Sequence, residues 1–464
     1  MIAYLPALLF LFLCLVLMLG FPVAFSLAGS ALIFAYIGAW FGVIDASFLW
    51  LFPNRLFGIL NNQTLLAVPL FVLMGVMLEK SQLAEQLLAA MNHLLKRVKG
   101  GLGMAVVLVG MLLAASTGIV GATVVTLAVL ALPGMLKRGY SPSQASGIVA
   151  ATGTLGQILP PSIALVLLGD MLSSAYQQAQ LSLGLFSPKT VSVGELFAGA
   201  LVPGLMLVLL YLSYIFIFNK PQSSEVEANK VASDQALADA EGRALWFMLA
   251  KALLPTLSLI FVVLGSILFG YATPTEAAAV GAFGATLLAA MQGRLSWKTL
   301  REVGEASLHV TTMVFLILIG AAMFSLVFYG LGGESLVQQW FEALPGGVFG
   351  AMVVVMLLIF LLGFILDFIE ITFVVVPIVG PVLLAMGIDP IWLGVMIAVN
   401  LQTSFLTPPF GFALFYLRGA APASIKTAEI YRGVVPFIGL QLLMLVVLAC
   451  WPTLATWLPA YLYG

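Results

Sequence analysis

The 464 residues are 62% hydrophobic and only 8% charged, with 18 Lys+Arg balanced by 19 Asp+Glu. A soluble core of this length would need a polar, charged shell, so its absence excludes a water-soluble globular protein and makes this a polytopic membrane chain. The near-neutral balance offers no basic face for nucleic acid, and the sequence holds no HExxH, no GxSxG and no paired carboxylates with a basic partner, which argues against an enzyme.

A spanning helix needs about 20 apolar residues. In chain order the expected spans are 4–20, 22–42, 64–79, 143–169, 194–218, 245–270, 275–292, 310–330, 390–417 and 433–457. The first lacks a basic n-region and reads as a retained helix rather than a signal peptide. Cys14 and Cys450 lie in apolar runs at opposite ends and read as small buried hydrophobes. Two further stretches, 101–136 and 346–386, are each long enough for two short helices joined at a polar or Gly-rich tip. Gln82 to Lys99 and Glu334 to Ala343 read as arms lying along the membrane surface. The run Lys220 to Arg243 has mixed charge and Ser/Ala content and reads as a solvated cytoplasmic linker.

Basic residues orient these spans, because Lys and Arg collect on the cytoplasmic side. Lys96, Arg97 and Lys99 precede the stretch 101–136 and Lys137 and Arg138 follow it, so it enters and leaves the membrane from the cytoplasm. The stretch 346–386 is preceded by Glu334 and Glu342 and followed by Asp389, so it opens to the other face. Carried along the chain, this topology puts the N-terminus outside and leaves only Arg55 and Lys189, of the 18 basic residues, outside the cytoplasm.

Within 143–169 stand Pro160 and Pro161, and Pro408 and Pro409 repeat them at a fixed offset (408 − 160 = 248) within 390–417. The same offset pairs Pro133 with Pro381, Gly139 with Gly387 and Pro142 with Pro390. Gly and Pro mark backbone geometry, and the two windows open to opposite faces. The chain is therefore an all-α polytopic membrane protein with an inverted-topology repeat of two re-entrant helical hairpins and two helices broken at Pro-Pro. Many secondary transporters build a midplane site this way. A proline frees a carbonyl one turn earlier, and in hydrocarbon irregular backbone survives only where protein, water or a ligand satisfies it. Structural kinks re-satisfied by neighbouring Ser and Thr are the plainer reading of either break alone.

The polar residues at the first break are Thr152, Gly153, Thr154, Gly156, Gln157 and Ser162, and its partner hairpin carries Ser116, Thr117, Gly118, Gly121 and Thr123 at its tip. The second break offers Asn400, Gln402, Thr403, Ser404 and Thr407, with Gly363, Asp367, Glu370 and Thr372 at the hairpin tip. Hydroxyls, amides and carbonyls suit a hard cation such as Na+, whereas His93 and His309 lie at helix ends, away from any transition-metal site. We take Ser116, Thr117, Gly118, Gly153, Gly156, Gly363, Asp367, Thr403 and Ser404 as candidate Na+ residues, in at least two sites. Thr123, Thr154, Gln157, Pro160, Ser162, Asn400, Gln402, Thr407 and Pro408 are the candidate substrate residues. Intramembrane acids are costly and usually face an ion path; Asp367 reads as a cation ligand or its support, and Glu370 as either a ligand or a solvated tip residue. Glu276 reads as a helix-start carboxylate. With no Lys or Arg inside either unit, an anionic substrate would be held by helix N-termini, hydroxyls and the bound cations.

In these pieces, TGIVGAT, LPGMLKRGY, AATGTLGQILPPSI, TPTEAAAVGAF, LGFILD, MGIDPIWLGV and LTPPFG, the sequence resembles the large membrane subunit (M or DctM type) of tripartite ATP-independent periplasmic (TRAP) transporters. The resemblance spans nearly the whole chain. It implies an elevator-type Na+ symporter for small organic anions in the bacterial inner membrane. It also implies two partners, a small four-helix membrane subunit (Q type) and a periplasmic substrate-binding protein (P type). The family's hairpin tip is usually Ser-Gly-Ser followed by Ala-Thr. Here Thr117, Gly118, Ala122 and Thr123 keep that pattern and Ile119 replaces the second serine. In the second hairpin Gly363 and Asp367 match and Glu370 departs. The first-repeat motifs and the outer loop Gln177 to Ser192 are similar to the branch associated with mannitol, chloroaromatic and small 2-oxo or hydroxy acids.

The implied organisation is a scaffold with a first arm (1–100), a first transport repeat (101–192), scaffold helices with the linker 219–243 and a second arm (193–345), a second transport repeat (346–418), and a C-terminal arm and helix (419–464). A stand-alone Na+/dicarboxylate-type symporter needing no binding protein is the alternative. A channel fits less well, since hairpins from opposite faces suit alternating access.

Overall fold

Gly and Pro punctuate the apolar runs, and the helix ends follow them. The computed structural model describes residues 2–81, 83–95, 98–218 and 238–464; the side chains of residues 2, 46, 83, 84, 116, 117 and 238–252 also lie outside the described set. Among the described residues there are helices and no strands. Of the expected linker at 219–243, residues 219–237 fall outside them, and 238–243 are the helical start of the segment that follows.

The N-terminal part comprises α1 (Leu5–Met18), α2 (Val23–Trp40), α3 (Phe52–Leu60), α4 (Ala67–Lys80) and α5 (Leu83–Leu94). The first unit follows as α6 (Gly101–Thr117), α7 (Val120–Lys137), α8 (Pro142–Thr154) and α9 (Ile163–Ser182). Next come α10 (Val193–Phe218), α11 (Ala238–Leu268), α12 (Pro274–Met291), α13 (Trp297–Gly330) and α14 (Gly333–Glu342). The second unit is α15 (Gly347–Leu362), α16 (Phe368–Ala385), α17 (Pro390–Leu406) and α18 (Phe412–Ala420), and α19 (Thr427–Cys450) and α20 (Thr453–Tyr463) close the chain.

The repeat holds in three dimensions. Adding the offset of 248 carries both ends of α7 onto both ends of α16, and α8 and α17 each open with a proline behind a side-chain cap. Ser141 accepts from the Gln144 N–H and Asp389 from the Ile391 and Trp392 N–H groups; proline at the first helical position costs nothing because its N–H would be unpaired there. Both hairpins lie at the expected places. The open end of the first sits where Arg138 donates to Asn92 and Lys99 to the Ile217 carbonyl, and midway along α16 of the second the Pro377 carbonyl accepts from Tyr329, at the far end of α13.

The units are interleaved. Each hairpin's second arm packs on the other unit's second half-helix: α7 on α18, where Gly121 faces the Tyr416 ring, and α16 on α9, where Gly380 faces Ala175. Around this core α2, α4, α12 and α13 pack through small residues. A Cβ on Gly320 would come within 2.5 Å of the Ala24 carbonyl, and one on Gly281 within 2.5 Å of the Met74 sulfur. Close backbone approach of this kind replaces the hydrophobic drive that helices lack in lipid. Large apolar side chains such as Phe261, Phe283 and Phe349 point outward, as a lipid-facing surface requires, and Trp40, Trp50, Tyr271 and Trp297 stand exposed near helix ends, where amphipathic rings suit the interface.

Three boundaries differ from the expected ones. Helix α9 runs past 169 to Ser182, so the outer loop starts at Leu183 rather than Gln177, and Gln180 closes it by bonding both the N–H and the carbonyl of Lys189. Helix α13 begins at Trp297 rather than 310, because Ser296 caps it and its charged first turns are solvated. The expected span 433–457 is two helices broken at Trp451 and Pro452, since proline cannot continue the ladder. Helix α3, not anticipated, meets α4 at a bend of 56°.

The tightest helix contact suggests a stability test. A Cβ on Gly433 of α19 would collide with the Ser143 carbonyl of α8, whereas one on Gly439 meets nothing within 4 Å. Gly433→Leu should destabilise the protein by about 1–3 kcal/mol, the usual cost of overpacking. Thermal denaturation in detergent should show a clear drop for Gly433→Leu and none for Gly439→Leu.

Candidate functional site

Each hairpin tip must turn the chain inside the membrane without stranding polar backbone. In the first, Gly118 takes a left-handed φ of 61° and donates its N–H to the Ala114 carbonyl at 2.9 Å. Its Cβ position lies 2.9 Å from the Ile163 nitrogen, so the tip abuts the first turn of α9. Ile119 precedes α7 in extended conformation with no side-chain cap, and Thr123 donates to the Ile119 carbonyl at 3.0 Å. The side chains of Ser116 and Thr117 lie outside the described residues. In the second tip Asp367 precedes α16 and accepts from the Glu370 N–H at 3.0 Å, while the buried Glu370 carboxylate accepts from the Asp367 N–H at 3.0 Å. This reciprocal capping box gives both acids a helix-closing role. Glu370, 7% exposed, is not a solvated tip residue.

The broken helices part at matching points, and Pro160–Pro161 and Pro408–Pro409 are both cis. Helix α8 ends in a short 3-10 turn, Leu155–Gln157, before the double proline. Ser162 donates to the Gln157 carbonyl at 3.3 Å and α9 begins without a side-chain cap, as α18 does behind Gly411. The first break is buried throughout, whereas the second reaches the surface at Pro409 and Phe410. Side chains stitch the second break to its hairpin: Asn400 donates to the Met356 carbonyl and Ser404 to the Phe360 carbonyl, both at 2.7 Å, with Gly363 against Ser404. Thr403 and Thr407 bond back to the Val399 and Thr403 carbonyls. At the matching places in the first unit stand Thr152, whose buried hydroxyl has no partner, and Gly156, whose Cβ position is 3.1 Å from the Ala114 carbonyl. Gly153 packs against Val124.

At the centre the two units touch through residues one offset apart. The Gln402 amide donates to the Thr154 hydroxyl at 3.3 Å, across 248 positions, so the pair lies on the pseudo-two-fold axis. The Gln441 amide reaches the same hydroxyl at 3.4 Å and the Tyr211 hydroxyl at 2.8 Å, and Thr154 itself donates to the Ala151 carbonyl at 2.8 Å. The side-chain carbonyls of Gln157, Gln402 and Gln441 are buried without partners. A midplane cluster of neutral oxygen donors, backed by broken backbone and flanked by opposed hairpins, is the arrangement of a membrane carrier.

Over residues 9–454 the chain matches the family model described as the tripartite ATP-independent periplasmic transporter, DctM component. The chain belongs to this family. It is similar to the C4-dicarboxylate TRAP transporter large permease protein DctM of Vibrio cholerae, 31% identical over 99% of this chain and 98% of that one. The protein of the same description from Pseudomonas aeruginosa is 31% identical over 88% of this chain and 89% of its own length. The isethionate TRAP transporter permease protein DctMQ of Oleidesulfovibrio alaskensis is 27% identical over 95% of this chain and 64% of its own length. In fold the chain resembles the Alcanivorax borkumensis YdaH transporter, with a TM-score of 0.62 at 17% identity over 88% of this chain and 89% of that chain. It is a multi-pass TRAP transporter subunit and not an enzyme.

In this DctM-family chain the tertiary structure joins several residues named from sequence, namely Thr154 with Gln402, Gly363 with Ser404, and Gly118 with the start of α9. Tyr211 and Gln441, which complete the central cluster, carry polar groups that the motifs of the two repeats do not include. The donors at both breaks are hydroxyl, amide and main-chain oxygens, with one hairpin carboxylate pair beside the second, a set that fits a hard monovalent cation. Tyr211→Phe keeps the ring edge-on to Phe437 and removes only the hydroxyl. Leaving the buried Gln441 amide short of an acceptor should cost about 1–3 kcal/mol, read as a lowered melting temperature that Tyr214→Phe, outside the cluster, does not share.

Proposed function

We propose that this chain carries small organic carboxylates across the bacterial inner membrane together with Na+, receiving them from a periplasmic binding protein and working beside a small four-helix subunit. The observation that carries the reading is the Thr154–Gln402 contact, which sets two inverted broken helices back to back. Around it the N-termini of α7, α9 and α18 lack side-chain caps, so their N–H groups are available to carboxylate oxygens. The N-terminus of α16 is instead closed by the carboxyl groups of Asp367 and Glu370. With no Lys or Arg at the hairpin tips or the two breaks, cations bound there would neutralise the substrate, which makes carboxylate binding depend on Na+.

Transport by an elevator motion is supported by the way the interleaved units meet their surroundings. Polar links between the units and the stretch from α3 to α5, with α13 and α14, run at the two ends, while Gln441 of α19 bonds Thr154 at the centre: Glu79 with Thr126 and Asn92 with Arg138 at the cytoplasmic end, Asn62 with Asp170, Gln178 with Glu334 and Tyr329 with Pro377 at the other. Such links can be exchanged one end at a time while the broken helices keep their internal bonds. The DctMQ relative, about a third of which this chain does not cover, supports the small membrane partner.

In proteoliposomes, uptake of labelled succinate or pyruvate should require a Na+ gradient, the small subunit and the binding protein. Uptake by this chain alone would favour a stand-alone symporter, and uptake indifferent to Na+ would remove the coupling. Asp367→Asn keeps a capping side chain but loses the charge. The half-saturating Na+ concentration should then rise about tenfold, equivalent to about 1.4 kcal/mol, with the melting temperature unchanged; an unaltered Na+ dependence would take Asp367 out of the cation-binding role.

A further inference from the structure

A cavity of about 600 Å³ opens at the non-cytoplasmic end between α3 and α13 on one side and α9 and α16 on the other. One face of α3 forms its roof, since Arg55, Gly58 and Ile59 follow helical spacing and line the cavity, with Asn62 just past the helix end. Phe57 and Leu60, on the other face, are exposed to the surroundings. The cavity wall carries three charged residues, Arg55, Asp170 and Glu334. The two acids are engaged by amides across the boundary: the Asn62 amide donates to both oxygens of Asp170 at 3.1 and 3.0 Å, and the Gln178 amide donates to Glu334 at 3.3 Å. Among the described residues no carboxylate lies within ion-pair distance of the Arg55 guanidinium.

Two observations make Arg55 informative. Basic residues of this chain gather at the cytoplasmic end, so an arginine at the opposite end runs against the charge rule that orients membrane helices. It also stands at a cavity whose volume suits a small ligand and whose remaining wall, with Leu65, Leu318 and Phe373, is apolar. A planar guanidinium beside an apolar wall matches a carboxylate on a short carbon chain.

We propose that this cavity is an anion-receiving site in which Arg55 takes the carboxylate of the arriving acid before it reaches the broken helices. The inference rests on the reading of the chain as a carrier of organic anions. It adds a binding step outside the central site, in a cavity built partly from α3 and partly from α16 of the second hairpin.

The test uses the complete transporter with Cys14 and Cys450 replaced by alanine and Ile59→Cys as a reporter one turn from Arg55. The probes are anionic sulfonatoethyl methanethiosulfonate and its cationic trimethylammonium counterpart. In phosphatidylcholine liposomes the ratio of anionic to cationic labelling rates should be about tenfold higher with Arg55 than with Arg55→Gln. Millimolar succinate should slow the anionic reaction several-fold only when Arg55 is present. Should Arg55→Gln fail to assemble, the anionic rate in the Arg55 protein should itself fall steeply with ionic strength, and a salt-independent rate overturns the site. Equal ratios with and without Arg55 overturn it as well. Protection by phosphatidylglycerol but not by succinate also overturns it, assigning the cavity to a lipid headgroup. Failure of the transport reading has a different signature, absence of Na+-dependent uptake with the labelling preference intact.

Discussion

A main-chain N–H or C=O left unpaired in hydrocarbon costs several kcal/mol, and the architecture of this chain follows from meeting that demand at two helix breaks and two hairpin tips. Each break is covered by a hairpin and each tip is tucked against a half-helix, Gly118 against Ile163 and Gly363 against Ser404. These contacts lie within one unit, and the interleaving of α7 with α18 and α16 with α9 then joins the two units to each other.

The two halves meet the same demand with different chemistry. In the second, Asn400 and Ser404 donate to carbonyls of α15, and Asp367 and Glu370 cap α16 reciprocally. In the first, the matching positions hold Thr152 and Gly156, close packing replaces hydrogen bonds, and Ile119 leaves α7 without a side-chain cap. The uncapped N-termini favour an anion and the capped, acidic tip favours a cation. The repeat is symmetric in backbone and asymmetric in charge, which suits the proposed joint binding of Na+ and a carboxylate.

The surrounding helices pack through glycine and alanine, with backbones close enough at Gly320 and Ala24 to exclude larger side chains. Against the interleaved units the same helices make scattered polar links near the membrane faces and apolar contact between. Few directional bonds between these helices and the interleaved units suit the proposed sliding of one against the other.

By itself the sequence determined the membrane class, the helix-breaking positions and the opposed orientation of the two windows. These depend on composition, on Gly and Pro at an offset of 248, and on where Lys and Arg stand, all of which act locally. It also named Thr154, Gln402, Gly363, Ser404 and Asp367 as chemistry-bearing residues. Which of these meet was decided only by tertiary packing: that Thr154 touches Gln402, and that Tyr211 and Gln441 join them from remote helices. The exposed second break and the cavity beside Arg55 belong to that same class. Each is made by elements more than a hundred residues apart, and spacing along a chain encodes the period of one helix but not the face it will present to another.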